Sequence, residues 1–340
     1  MSSLDLIEVV DASYRLDVDD RSWLRGIAGA VKPFLDRGFG LMAYAYDRRD
    51  PVARRRPTLE LLDCPSGAEQ IMSAQFPRTD IDAVFGDPRP VSTLSEALGS
   101  TALARRSDFV ELMRTFGIAD VLGIHASSPD GRGVIIGCPL PKITGAFEVE
   151  RWSRVSAHIA AGHRLRDEYR AGGSECEFVI DEAGRIEHAP EGASEPIRAA
   201  ISSAAVALRR ARGPLRRVSP DEALGVWRAL VLGRWSILSE VEFGGRRFMV
   251  ARRNEPTTSG SALDALTLRE RQVLGFACLG HGNKLVAYEL GLSVSTVATH
   301  LRKAGQKLGF PTRSALIRGV LDGRSTVRGL EPSTLGGKRE

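Results

Sequence analysis

Residues 266–316 read LTLRERQVLGFACLGHGNKLVAYELGLSVSTVATHLRKAGQKLGFPTRSAL, and their pattern of helix starts and stops sets the reading of the whole chain. Thr267 followed by Glu270 forms a capping box, in which the hydroxyl takes a free amide of the first turn and the carboxylate reaches back. Asn283 precedes Lys284-Leu285-Val286-Ala287-Tyr288-Glu289-Leu290 and is read as the cap of a second helix, which Gly291 ends by taking a left-handed turn. Ser293 caps a third helix two residues later, and Thr312 a fourth containing Ala315, Leu316 and Val320. A helix, a tight glycine turn and a second capped helix are the parts of a helix-turn-helix unit.

The third helix carries the chemistry. At about 100° per residue, Val297, Leu301, Ala304 and Leu308 fall in a stripe roughly 60° wide, which is the side to be buried. The opposite side collects Ser295, Ala298, Thr299, Arg302 and Gln306, small or hydrogen-bonding groups suited to base edges in a major groove. His300, Lys303 and Lys307 lie on a flank where a phosphate strand would run, and Asn283 and Lys284 join them as phosphate contacts. An ordinary surface helix would also show solvated charges, but not two capped helices in tandem before it.

The residues Thr267, Arg269, Glu270, Val273, Leu274, Gly282, Asn283, Lys284, Ala287, Leu290, Ser293, Thr296, Val297, His300, Lys307, Leu308 and Gly309 resemble the LuxR-type (GerE) helix-turn-helix signature over about 55 residues. The resemblance implies an all-α four-helix module whose third helix reads DNA and whose fourth pairs two copies. Two positions depart from it. Leu285 stands where relatives carry a polar or acidic residue, and Ala298 and Thr299 replace side chains that often contact DNA.

Outside this module the composition is that of a globular, multidomain protein. The chain has 340 residues, 43% of them hydrophobic, and a formal net charge of +5, enough for real cores and compatible with a nucleic-acid partner. Between residues 263 and 322, Arg269, Arg271, Lys284, Arg302, Lys303, Lys307, Arg313 and Arg318 face only Asp264, Glu270, Glu289 and Asp322, so the basic excess concentrates on the expected reader. The start, MSSLDLIEVVDAS, lacks the basic lead of a secretory signal, and no run reaches the length of a membrane span. A cytoplasmic location is expected.

Residues 1–172 read as alternating helix and strand. Helix is expected at 22–35, strands at 39–46 and 58–62, helices at 68–76, 81–85 and 108–116, a hairpin of 120–126 with 133–138 around Ser128-Pro129-Asp130-Gly131, and a long helix at 147–170. In order and size this α+β unit resembles a GAF sensor domain. Residues 175–255 read as strand, turn and strand (177–188), helices at 197–212 and 220–232, and a hairpin at 235–251, resembling a small α+β PAS-like unit. Residues 254–262, NEPTTSGSA, read as a polar hinge to the helix-turn-helix domain at 263–323, and 324–340 as a disordered tail.

The chemistry of an enzyme is not indicated. His158 and His163, five residues apart, point about 140° from each other on a helix, so they do not form a paired metal site. His125 sits among apolar neighbours like a core histidine, and no phosphate-binding glycine loop, GxSxG or HExxH is present. Asp19-Asp20 follow no buried strand and do not read as a phosphoacceptor. Cys64, Cys138, Cys176 and Cys278 lack CxxC spacing; Cys64 and Cys138, each after a strand and before a proline, are a candidate redox pair, with free buried thiols as the alternative.

The chain is therefore expected to be a transcription regulator without cofactor or catalytic residues, in which a sensory region controls the reader. Its expected partners are double-stranded DNA, a second copy through Ala315, Leu316 and Val320 with Leu285 nearby, an unidentified small-molecule ligand, and RNA polymerase for an activator. A GAF-type thiol enzyme (a small-molecule reductase) with an appended reader, and a scaffold whose last helices bind protein, are the competing readings. A sigma factor is set aside because no basic, aromatic helix for melting promoter DNA lies upstream.

Overall fold

The computed structural model describes residues 5–49, 58–68, 89–99, 113–142, 147–173, 175–243, 246–256 and 263–322. The helices expected at 68–76, 81–85 and 108–116 fall wholly or mostly outside these residues, as do the later part of the hinge and the tail. Among the described residues no helix is long and apolar enough to cross a membrane.

The first part begins with α1 (Leu6–Ser13) and α2 (Asp20–Leu35). Asp19 caps α2 by accepting from the amide of Ser22, which accounts for an acidic pair that no strand precedes. The strands β1 (Leu41–Asp47), β2 (Thr58–Leu62), β3 (Val91–Thr93), β4 (Asp120–Ser127) and β5 (Arg132–Leu140) form an antiparallel sheet in the order β2-β1-β5-β4-β3. The short helix α3 (Leu94–Leu98) follows β3. Alternation along the strands sends Leu41 and Ala43 of β1, Leu122 and Ile124 of β4, and Val134 and Ile136 of β5 to one face. That face meets α1, α2 and the long helix α4 (Val149–Arg170). The helices approach closely because residue 162 is glycine: a Cβ there would lie 2.1 Å from the carbonyl oxygen of Ser13.

The second part has the strands β6 (Cys176–Asp181), β7 (Ile186–His188), β8 (Trp235–Phe243) and β9 (Arg246–Arg253) in an antiparallel sheet of order β7-β6-β9-β8. Helices α5 (Glu195–Arg212), α6 (Leu215–Val218) and α7 (Pro220–Val226) connect its two hairpins. One buried apolar cluster runs without interruption from Leu6 through Trp152, Phe178 and Leu208 to Ala251, so both sheets share a core. Asn254, read from the sequence as the start of a polar hinge, is instead fully buried: its amide nitrogen donates to Ala161 O and Ser236 Oγ, and its oxygen accepts from Arg164 Nε at 2.8 Å. These bonds also provide polar partners for a buried guanidinium.

The helix expected over 220–232 stops at Val226, where Trp227 turns extended. Residues 227–234 instead form a connecting segment in which Leu232 (φ +49°) and Gly233 (φ +60°) are left-handed. A left-handed leucine costs about 1–2 kcal/mol, so tertiary contacts must hold this segment. Leu232 packs on the core of the two sheets with Ala229 and Val231, while the C-terminal domain takes Leu230 into its core and donates to Gly233 O from Arg269 and Gln272.

Candidate nucleic-acid interface

Four helices follow: α8 (Leu268–Cys278), α9 (Asn283–Leu290), α10 (Val294–Leu308) and α11 (Arg313–Leu321). Thr267 and Glu270 make both bonds of the capping box at the start of α8. Ser293 accepts from the amide of Thr296 to cap α10, and Thr312 accepts from that of Ala315 to cap α11. Asn283 does not cap α9. The cap is Gly282, and Asn283 opens the helix with its Oδ1 buried and without a hydrogen-bond partner. Gly291 closes α9 in the left-handed conformation, φ +60°.

Helix α10 divides as its sequence requires. Val297, Leu301, Ala304 and Leu308 are buried with Val273, Leu274, Phe276, Val286 and Leu290. Ser295, Ala298, Thr299, Arg302 and Gln306 are all exposed along one side. The five residues expected to face bases thus share an open surface, and Arg302 and Gln306 also line a cavity of about 400 Å³ beside Asn283 and Arg313.

The expected phosphate contacts are not equivalent. Lys284 and Lys303 are exposed and make no ion pair among the described residues. Lys307 instead donates to Glu270 Oε2 at 2.6 Å, joining the end of α10 to the capping box of α8. Burial pushes the Glu270 carboxyl up, but the bonds from Lys307 and Thr267 outweigh it and hold the pKa below its ordinary value. Burial lowers the pKa of His300, whose Nδ1 is enclosed without a partner, so at neutral pH the ring is uncharged. Arg269 is likewise structural, donating to Gly233 O and Gln272 Oε1. The basic surface is therefore smaller than the count of basic residues suggests, with Lys284, Arg302 and Lys303 at its centre.

Two other expectations change. Leu316 of α11 is buried in the domain's own core, so it is not available to a second copy; Ala315 and Val320 are partly buried, and Leu321 is the exposed apolar residue of this helix. Cys64 and Cys138 are not bonded to each other. Both are free thiols: Cys138 is buried in the core under the helices, and half-buried Cys64, two residues past β2, donates from Sγ to Leu41 O. Burial raises the pKa of both thiols, which keeps them protonated.

Sequence reasoning missed how the helix-turn-helix domain is held. Tyr288 of α9 is buried in the core of the two sheets, and Leu285, the residue that departs from the LuxR-type pattern, packs against the same core. In return Leu230, from the segment after α7, is buried in the core of the four helices. The Tyr288 hydroxyl lies 2.7 Å from both Leu224 O and Trp227 O and 2.8 Å from His158 Nε2, while His158 Nδ1 lies 3.0 Å from the Tyr14 hydroxyl. Burial drives the pKa of His158 down to about 3, so the ring is neutral and has one N–H. The Trp227 carbonyl, 2.9 Å from Nε2, can only accept; the proton therefore sits on Nε2 and Nδ1 accepts from Tyr14. A signal was present in sequence: Leu285 and Tyr288 are about 60° apart on α9 and off the Val286–Leu290 face, a second apolar stripe.

These four helices, with one exposed polar face on the second helix of the helix-turn-helix pair, define a DNA-reading module of the helix-turn-helix class. Residues 264–320 match the family described as bacterial regulatory proteins, luxR family, and the chain carries a LuxR-family domain at this end. The transcriptional regulatory protein MctR of Rhizobium johnstonii is 44% identical over 59 residues, 17% of this chain and 28% of that protein. The chain thus aligns with little more than a quarter of that relative's length. A crystal structure of Escherichia coli SdiA overlaps 91% of this chain and 94% of its own, at 11% identity and a TM-score of 0.26, a likeness too slight to carry an argument.

Proposed function

We propose that this protein is a DNA-binding transcriptional regulator in which the region before residue 257 senses a signal and governs the LuxR-type domain. The observation that carries this reading is the division of α10: its apolar side is the domain core, while Ser295, Ala298, Thr299, Arg302 and Gln306 stand together in the open. Arg302 supplies the guanidinium fork for a guanine edge, and Thr299 and Gln306 supply shorter polar contacts. Lys284 and Lys303 hold phosphates as charges, while Asn283 and neutral His300 contribute as hydrogen-bonding groups. Lys307, paired with Glu270, supports the helix. The five-stranded sheet covered by α1, α2 and α4 supports a GAF-like sensor at 1–172, and the four-stranded sheet a PAS-like unit at 175–255. On α11, Leu321 rather than Leu316 is the apolar group offered to a second copy on a two-fold operator.

The test begins with DNA selected from a random pool by the full chain, followed by anisotropy titrations on the selected and scrambled duplexes over a range of salt. Arg302→Ala is expected to cost about 1–3 kcal/mol on the selected site and little on the scrambled one. Lys303→Ala is expected to weaken both alike and to lower the salt slope by about one. Equal losses on both duplexes for Arg302→Ala would remove its base-reading role. An affinity for neither duplex that responds to salt would favour a protein-binding module instead.

A further inference from the structure

The DNA-reading domain is seated against a segment that carries a positive charge of its own. Arg228, in the stretch that follows α7, is exposed and makes no ion pair among the described residues. Its guanidinium lies 5.3 Å from the ring centroid of Tyr288 on α9, a cation over an aromatic face. The backbone on either side of it is fixed. The Tyr288 hydroxyl lies 2.7 Å from the carbonyl of Trp227, just before Arg228, and Leu230, two residues after it, is buried in the core of the four helices. The carbonyl of Leu230 comes so close to Gly291 that a Cβ there would lie 2.4 Å from it. Residues 227–230 therefore run beside α9 as far as the turn that leads to Ser293 and the start of α10.

The charges around Arg228 leave this surface positive. Lys284 stands four residues before Tyr288, one turn away on neighbouring positions of α9, and is exposed. The acidic residue of α9, Glu289, is buried against His281 at 2.9 Å and presents no carboxylate here. Arg154 also approaches the Tyr288 ring, at 5.6 Å, but it is paired with Glu150 at 2.6 Å. Arg228 is thus an uncommitted cation beside the helix-turn-helix pair, yet outside residues 264–320 that match the family.

We propose that Arg228 is a DNA-backbone contact supplied from outside the LuxR-type domain, extending the phosphate-binding surface of Lys284 past the edge of the four helices. Its partner is a phosphate of the duplex, which carries no sequence information, so Arg228 adds affinity and not base preference. Arg228 reaches the duplex only while Tyr288 stays seated in the core of the two sheets. Lifting α9 from that seat withdraws a charge from the interface, and so the first part of the chain governs how tightly the reader holds DNA. This contact rests on the DNA binding by α10 proposed above.

The test uses the full chain, the selected and scrambled duplexes, and anisotropy titrations from about 50 to 200 mM salt. One phosphate contact contributes about 0.9 to the slope of log affinity against log salt, so this rise in salt reduces its share roughly 3.5-fold. The ratio of wild-type to Arg228→Ala affinity is therefore expected to fall by that factor across the range, equally on both duplexes. Arg228→Lys, which keeps the charge, is expected to hold the wild-type slope, and Lys303→Ala gives the reference for one lost contact. A wild-type slope in Arg228→Ala overturns the contact. So does a loss of the same size at every salt concentration, because the residue would then act only by holding α9. A loss confined to the selected duplex would make Arg228 a base reader and overturns it as well. A wild type with no salt-dependent affinity for either duplex would sink the regulator reading itself, whereas a salt-dependent wild type with an unchanged Arg228→Ala slope sinks this contact alone.

Discussion

Removing one oxygen atom, in Tyr288→Phe, isolates the seat of the DNA-reading domain. The ring stays in place in the core shared by the two sheets, so packing is kept. What goes is a hydroxyl that lies within 2.8 Å of Leu224 O, Trp227 O and His158 Nε2. Trp227 O retains the N–H of His158 at 2.9 Å, but Leu224 O loses the Tyr288 donor in a buried position. A buried acceptor left unpaired costs about 1–3 kcal/mol. If α9 exchanges its amides by lifting away from the sheets, that cost becomes a roughly 5- to 150-fold faster exchange at residues 286–290. Mass-spectrometric hydrogen exchange on the full chain reads it directly, with the amides of β4 and β5 as an internal reference expected to change little. Exchange at α9 indistinguishable from the wild type would refute the reasoning, because it would mean that the hydroxyl does not hold the helix. Equal acceleration in β4 and β5 would also refute it, since the oxygen would then support the whole fold rather than the seat.

Gly291→Ala is expected to destabilise the chain by more than the 1–2 kcal/mol, approximately, of a left-handed alanine. Its Cβ would lie 2.4 Å from Leu230 O, so urea unfolding should show a larger loss than that backbone cost alone. Stability should also fall with acid through His158. Its folded pKa, about 3, lies below the unfolded value of 6.5, so its contribution is present above pH 6.5 and is lost as pH falls toward 3. At pH 5 the loss is about 2 kcal/mol, and denaturation at several pH values should show a flatter slope for His158→Gln. Thr267→Ala removes the hydroxyl half of the capping box on α8 and should lower stability by about 0.5–2 kcal/mol.

Much of the architecture was legible locally. Thr267, Ser293, Gly291 and Thr312 act within a few residues of themselves, so their caps and turns follow from side-chain chemistry and backbone freedom alone. The division of α10 was legible for the same reason, because 3.6 residues per turn places its apolar and polar groups on opposite sides in any helix. The strand at 58–62 and the two strands around the 128–131 turn, the latter marked by turn chemistry, formed close to where they were expected. Asn283 was the exception among the caps, since Gly282 can adopt the cap conformation without a side chain and took the position first.

Sequence by itself thus determined that four capped helices would end this chain with one open polar face. Only the folded whole decided where they would be seated. Helix α7 stops at Val226, and Leu230 beyond it is buried in the core of the four helices, a long-range placement that burial of apolar surface favours and that no near neighbour in 220–232 encodes. Nor could composition say that Lys307 would spend its charge on Glu270 or that Leu316 would turn inward. Caps and periodicity are interactions between near neighbours, whereas the partner of a tyrosine 130 residues away from His158 is fixed by packing in three dimensions.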